Sequence, residues 1–385
     1  MKGFINVMRR EFGIIRRNPV YLLGSVGVMV ASCLFYLTFF KAGLPDSLPI
    51  GVVDNDNTSL SRNFCQQLDA TQLGKVIHFD DFESARDAMQ TGRVTSLCVI
   101  PEHMSEDVYA NRRPVFTYYV NSLYMIGGAL SYKDILTMVT LTGGAVQREV
   151  LRAKGYSEGQ IMGLIQPIVV DEHKIGNSTT NYGVYLNNII LPGLLQLSII
   201  FVLIYALGSE LRYKTSKKLM EEAEGSIMAA VLGKLAPYML IYTFLGLGLD
   251  FLMFGVCGYP LAGNIGNMML GMLALVLSSA AVAVGLISLF PILRYALSLA
   301  ALFTILAFSF SGFTFPVEAM PAALQGISVI FPLRFYYLFY VQEAIFGTGI
   351  GGWWQYIVCM LLFLVIPILT SGRLKKAYVN QNYQL

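Results

Sequence analysis

The sequence predicts an α-helical integral membrane protein with six transmembrane helices and an extracytoplasmic mixed α/β domain inserted after the first of them. Three observations predict it. Of 385 residues, 55% are apolar and only 13% charged, against roughly 25% charged in ordinary soluble domains. The apolar residues gather into six blocks of membrane-spanning length. A polar stretch with mixed strand and helix patterns separates the first block from the other five. Disorder is excluded, because it needs low hydrophobicity and high charge. So few charges could not clothe a soluble enzyme of this length. Five cysteines do not make a disulfide scaffold. A net charge of +3 is too small to suggest a nucleic-acid binder.

The chain opens with an amphipathic segment, residues 1–20. Phe4, Ile5, Met8, Phe12, Ile14 and Ile15 give it an apolar side, and Arg9, Arg10, Arg16 and Arg17 a basic one. That pattern belongs to a helix lying in the membrane interface, and Pro19 marks the turn inward. The first span follows at 21–40 without a charge. Its apolar run is longer than a signal peptide's, Lys41 follows directly and no A-x-A site precedes it, so it reads as an anchor that stays. The other spans fall near 189–208, 237–256, 268–290, 295–315 and 353–369, each close to the roughly 20 residues that a hydrocarbon core requires. Residues 186–385 are thus a membrane domain with five spans.

Lysine and arginine set the orientation. They crowd the leading segment, the 210–234 connection, Arg294 and the stretch after the last span (Arg373, Lys375, Lys376), while 257–267 has none and 316–352 only Arg334. Both termini are therefore expected in the cytoplasm and residues 41–185 outside. Residues 322–348 are apolar enough to suggest a seventh span, but Pro332, Arg334, Gln342 and Glu343 interrupt them. A re-entrant or interfacial hairpin fits better.

Within the insert, strands are expected at 48–54, 75–79, 95–101 and 115–120. Helices are expected from Ser59 or Ser61 to Leu68, after Asp80 or Asp81 as far as Gly92, and over 123–153. Ser157 and Gln160 have capping-box spacing, and 167–174 reads as a returning strand. Asp54 and Asp56 lack the glycine and terminal glutamate of a calcium loop, so a turn feeding a helix cap is the better reading. His78, His103 and His173 are far apart, and no metal site is expected. A disulfide between Cys65 and Cys98 stays open at this point.

The 210–234 connection carries Glu210, Arg212, Lys214, Lys217, Lys218, Glu221, Glu222 and Glu224, and is longer than two adjacent helices need. It reads either as a docking surface or as a solvated charged face. Inside the spans the informative polar residues are Gln196 and Asp250, which are candidates for a translocation path. No Walker motif, G-x-S-x-G or H-E-x-x-H occurs, so no catalytic residues and no cofactor of its own are expected.

Several stretches resemble the permease subunit of ABC type-2 exporters, in the bacterial branch with a large periplasmic domain between the first and second spans. They are RREFGIIRRNP, IGVVDNDNTSLSRNFCQQLDA, GRVTSLCVIPEHMSEDV and SGFTFPVEAMP followed by FPLRFYYLFYVQEAIFGTG. The family's E-x-x-x-G-T stretch corresponds to Glu210–Thr215, with Lys214 in place of glycine. The resemblance implies an inner-membrane efflux subunit that moves an apolar or amphipathic substrate outward. ATP and Mg would be held by a separate ABC ATPase subunit coupled through Arg212, Lys214, Lys217, Lys218, Glu221 and Glu222. Further partners would be a second permease copy (a homodimer) or a paralogue, the lipid bilayer, and a periplasmic adaptor protein with an outer-membrane channel. No nucleic acid is implied. The second reading is a membrane-anchored secretion-accessory or interaction protein acting through its outer domain.

Overall fold

The computed structural model describes residues 2–110, 112–121, 123 and 125–381. Residue 1 of the leading segment, residues 382–385 of the membrane domain and residue 124 of the helix expected over 123–153 lie outside the described residues. Two compact units form: residues 1–41 with 174–385, and residues 42–173.

In the first unit α1 (Lys2–Arg17) buries Gly3, Val7, Glu11 and Ile15, a stripe with a spacing of four. This differs from the apolar side read in the sequence, since Ile5 and Phe12 stay exposed. The Asn18 side chain accepts from the Val20 amide and Pro19 sits at the first helical position, which starts the first span. That span is α2 (Pro19–Leu22), a π turn (Leu23–Gly27) and α3 (Val28–Phe39).

The insert is built on a four-stranded sheet in the order β2-β1-β3-β4. Strand β1 (Leu48–Asp54) pairs in parallel with β2 (Gly74–Phe79) and with β3 (Ser96–Ile100), while β4 (Thr117–Val120) runs antiparallel to β3. Between them lie α4 (Ser59–Asp69), α5 (Phe82–Gln90) and α6 (Met104–Tyr109), followed by α7 (Met125–Ala153) and α8 (Glu158–Ile165). One sheet face packs Ile50, Val52, Cys98 and Ile100 against Phe64, Leu68, Met104 and Ile135; the other packs Val53 and Leu97 on Ala85.

Thr58, not Ser59 or Ser61, caps α4, with Ser61 completing a capping box. Asp81 caps α5, and Ser157 with Gln160 forms the expected box on α8. The Asp54 carboxylate accepts from the Asp56 and Asn57 amides at 3.1 Å each and from the Ser61 hydroxyl at 2.7 Å. The turn itself consumes these oxygens. Asp56 accepts from the Ser105 hydroxyl at 2.5 Å and from Thr58 at 2.6 Å. Partial burial opposes ionisation there, yet these bonds and the nearby amides hold its carboxyl below the usual range. The returning strand expected at 167–174 does not form: this run has no ladder partner.

The remaining helices of the first unit are α9 (Tyr182–Arg212), α10 (Ser216–Glu222), α11 (Ile227–Asp250, continued by a π turn to Val256), α12 (Ile265–Leu289), α13 (Leu293–Phe310), α14 (Ala322–Ser328), α15 (Pro332–Tyr340, continued to Ile345), α16 (Ile350–Leu362) and α17 (Val365–Asn380). Six candidate membrane spans result: Pro19–Phe39, Tyr182–Arg212, Ile227–Val256, Ile265–Leu289, Leu293–Phe310 and Ile350–Asn380. Helices α9 and α12 are buried along most of their length; the others turn most of their surface outward. The small residues of α12 serve packing within this chain. A Cβ on Gly271 would lie 2.1 Å from the Phe339 ring. Helices α14 and α15 meet at a 90° bend, so the 322–348 segment is not a straight span. Phe331 at the bend stacks on Phe310 with ring centroids 5.4 Å apart. The Glu343 carboxylate holds the far arm, accepting from the Asn264 amide and the Asn267 side chain at 2.7 and 2.8 Å.

All five cysteines are free thiols. Burial pushes the Cys65 thiol up to about 11 and the Cys98 thiol up to about 12, so almost no thiolate exists at neutral pH. In the native protein, a maleimide at pH 7 should label exposed Cys257 and leave Cys65 and Cys98 unlabelled. Denaturant should expose both without any reductant. Mass spectrometry of the labelled peptides checks this.

Candidate functional site

The most concentrated chemistry lies where α1 meets the ends of α9 and α11. In the sequence, α1 has one acidic residue, Glu11, and the stretch 227–249 has one charge, Lys234. Both are fully buried. The Lys234 ammonium donates to Glu11 at 2.6 Å and to Glu210 at 2.8 Å, and Tyr238 donates to the other Glu11 oxygen at 2.7 Å. The Arg10 guanidinium spans both Glu210 oxygens at 2.9 and 3.1 Å and reaches Glu222 at 3.4 Å. Burial works against the Arg10 charge, but Glu210 and the other carboxylates outweigh it and raise its basicity.

Backbone geometry seats α1 on this cluster. A Cβ on Gly233 would lie 2.8 Å from the Phe4 carbonyl oxygen, so only glycine lets the two helices approach so closely. Beyond the cluster, Thr215 donates to Glu210 through its hydroxyl and its amide donates to the Glu210 carbonyl. Between them Lys214 adopts φ +57°, the left-handed region that glycine enters without strain. This is the position at which the family stretch carries glycine. Helix α17 closes the other side: Ser216 donates to the Tyr378 carbonyl at 2.9 Å and Tyr378 to the Leu207 carbonyl at 3.0 Å.

The 210–234 connection is shorter than its charge pattern suggested. Glu210–Arg212 end α9 and Ile227–Lys234 begin α11, because Ser226 caps that helix at the Ala229 amide. Of the six candidate coupling residues, Arg212, Lys214, Lys217, Lys218 and Glu221 are exposed, while half-buried Glu222 joins the cluster. Of the leading arginines, Arg9, Arg16 and Arg17 are exposed and Arg10 is drawn in. Sequence reasoning did not single out Glu11 and Lys234, and it counted Glu210 only as a loop charge. The usable signal was a lone charge of each sign in otherwise apolar or basic helices.

Gln196 and Asp250 lie inside the bundle with no exposed surface. Neither polar atom of Gln196 and neither Asp250 oxygen has a hydrogen-bond partner among the described residues, nor does the Tyr336 hydroxyl. A second copy of the chain could not supply partners to side chains this deeply enclosed. Among the described residues no three His, Cys, Asp or Glu side chains gather as a metal set.

Fold and site together define a multi-pass membrane protein whose leading helix is tied by buried charge to two of its spans, beside an exposed charged connection. The family model described as ABC-2 family transporter protein matches residues 20–373. The chain belongs to that family, as a membrane permease subunit of an ABC transporter, and the family implies association with an ABC ATPase. No curated protein matches the chain.

Two outcomes follow from this geometry. Lys234→Met leaves Glu11 buried without its partner and should destabilise the detergent-solubilised protein by about 3–5 kcal/mol. Glu11→Gln combined with Lys234→Met should recover part of that loss. Lys214→Gly should relieve left-handed strain and stabilise by about 1 kcal/mol. Thermal unfolding of the purified variants checks both.

Proposed function

We propose that this chain is the permease of an ATP-driven exporter in a bacterial inner membrane, with both ends in the cytoplasm and the insert outside. The observation that carries the proposal is the junction of exposed and buried charge at one end of the spans. Arg212, Lys214, Lys217, Lys218 and Glu221 face outward, while Glu222 and Glu210 beneath them are ion-paired to Arg10 and Lys234. A motor protein gripping the exposed residues would pull on α1, α9 and α11 together, because breaking a buried ion pair is costly. ATP and Mg would be held by that partner. Two permease copies would form the pathway. An apolar or amphipathic substrate would move outward, and the insert would meet a periplasmic adaptor.

Gln196 and Asp250 would belong to the moving core. Unpartnered buried polar groups are costly in one packing. Their cost falls if another packing wets or pairs them, so they favour alternation between two states.

Lys218→Ala with Glu221→Ala should leave the protein folded and reduce recovery of the ATPase from native membranes several-fold. Undiminished co-purification would remove these residues from the docking surface. Asp250→Asn should retain assembly with the ATPase but change the ratio of substrate moved to ATP hydrolysed. An unaltered ratio in reconstituted vesicles would place Asp250 outside the pathway.

A further inference from the structure

We propose that the insert carries a binding site of its own for a single-chain amphiphile with an anionic head. Helices α4, α6 and α7 enclose a cavity of about 270 Å³ walled by Leu60, Phe64, Met104, Val108, Phe116 and Val139. Beside it lies a polar recess of about 440 Å³ lined by Arg112, Arg113 and Gln147. Val108, Arg113 and Gly143 border both spaces. An apolar pit therefore adjoins a cationic mouth, the arrangement that a tail and a negative head require.

The charges at the mouth are unequally committed. The Arg112 guanidinium donates to Asp107 at 2.6 Å and is largely neutralised. Arg113 is exposed and makes no ion pair among the described residues. A guanidinium fork matches a carboxylate or a phosphate monoester equally, so the shared chemistry is an oxyanion head.

Thr142 also borders the pit, and its hydroxyl is buried without a partner among the described residues. Thr137 and Thr140 on the same helix instead donate back to the carbonyls four residues earlier. The cavity is near the lower end of small-molecule sites, roughly 300–1,000 Å³, which suits one acyl chain and excludes a paired-chain lipid. The proposal goes beyond the transport role above: it concerns the insert alone, and its failure would leave the coupling reading untouched.

The test uses the full-length chain in a neutral maltoside detergent. Photoreactive dodecanoate is cross-linked and the labelled peptides are identified by mass spectrometry. Label is expected in peptides spanning 104–116 and 139–150. Arg113→Glu, an exposed and structurally tolerant change, should weaken that labelling about tenfold. Gly143→Phe should also abolish it, because a Cβ there meets nothing within 4 Å and the ring can fill the pit. Photoreactive dodecanol should label the site weakly. Competition by dodecyl phosphate or by dodecanoate then tells which head is preferred. Absence of label from these peptides would overturn the proposal, as would labelling unchanged in both variants. Equal labelling by the alcohol would overturn the anionic head.

Discussion

The arrangement of the membrane unit depends on one buried cluster in which Lys234 lies between Glu11 and Glu210 and Arg10 closes over Glu210. Two cations face three carboxylates once Glu222 is counted. Burying such groups is unfavourable unless each finds its partners, so the net gain in stability is modest. The consequence is selectivity. A shift of α1 by one turn along α11 would strand Glu11 in an apolar groove, and the close approach at Gly233 allows no alternative tilt. The cluster therefore works as a register lock on a helix that is otherwise a surface amphiphile.

The same economy explains the connection beyond it. Thr215 folds back on Glu210, and Tyr378 and Ser216 tie α17 to the loop. Charges that solvent would otherwise scatter become a fixed bank with one rigid side and one exposed side. At the far arm of the bent helix pair, Glu343 uses backbone and side-chain N–H donors at the start of α12, a helix terminus that welcomes a carboxylate. Gln196, Asp250 and Tyr336, by contrast, are enclosed without hydrogen-bond partners among the described residues. The bundle thus holds one region whose charges are ion-paired and one whose polar groups are not partnered among the described residues, which is the asymmetry a protein with two packings would show.

The insert follows different rules. Its sheet has a core on both faces and its turns satisfy themselves: Asp54 and Asp56 spend their oxygens on neighbouring amides and hydroxyls. Cys65 and Cys98 pack into its core as apolar fillers.

The number of spans, the alternation of strands and helices in the insert and the caps at Asp81 and Ser157 were legible in the sequence. Each depends on spacing along a few residues: apolar run length, period-two patterns, and Ser or Asp before a helix. The bent pair was legible too, because Pro332 and Arg334 interrupt an apolar run. What the sequence could not assign was partnership. Glu11 lies 223 residues from Lys234, and a lone charge reads as a solvated one until another helix covers it. The buried stripe Gly3, Val7, Glu11 and Ile15 was masked by the stronger apolar pattern of Ile5 and Phe12. The end of the 210–234 connection was misplaced because Lys234 looked like a loop residue. Local pattern determines which segments are helix, strand or span. Only the packing of distant segments decides which charges are buried, since burial is a property of what lies opposite.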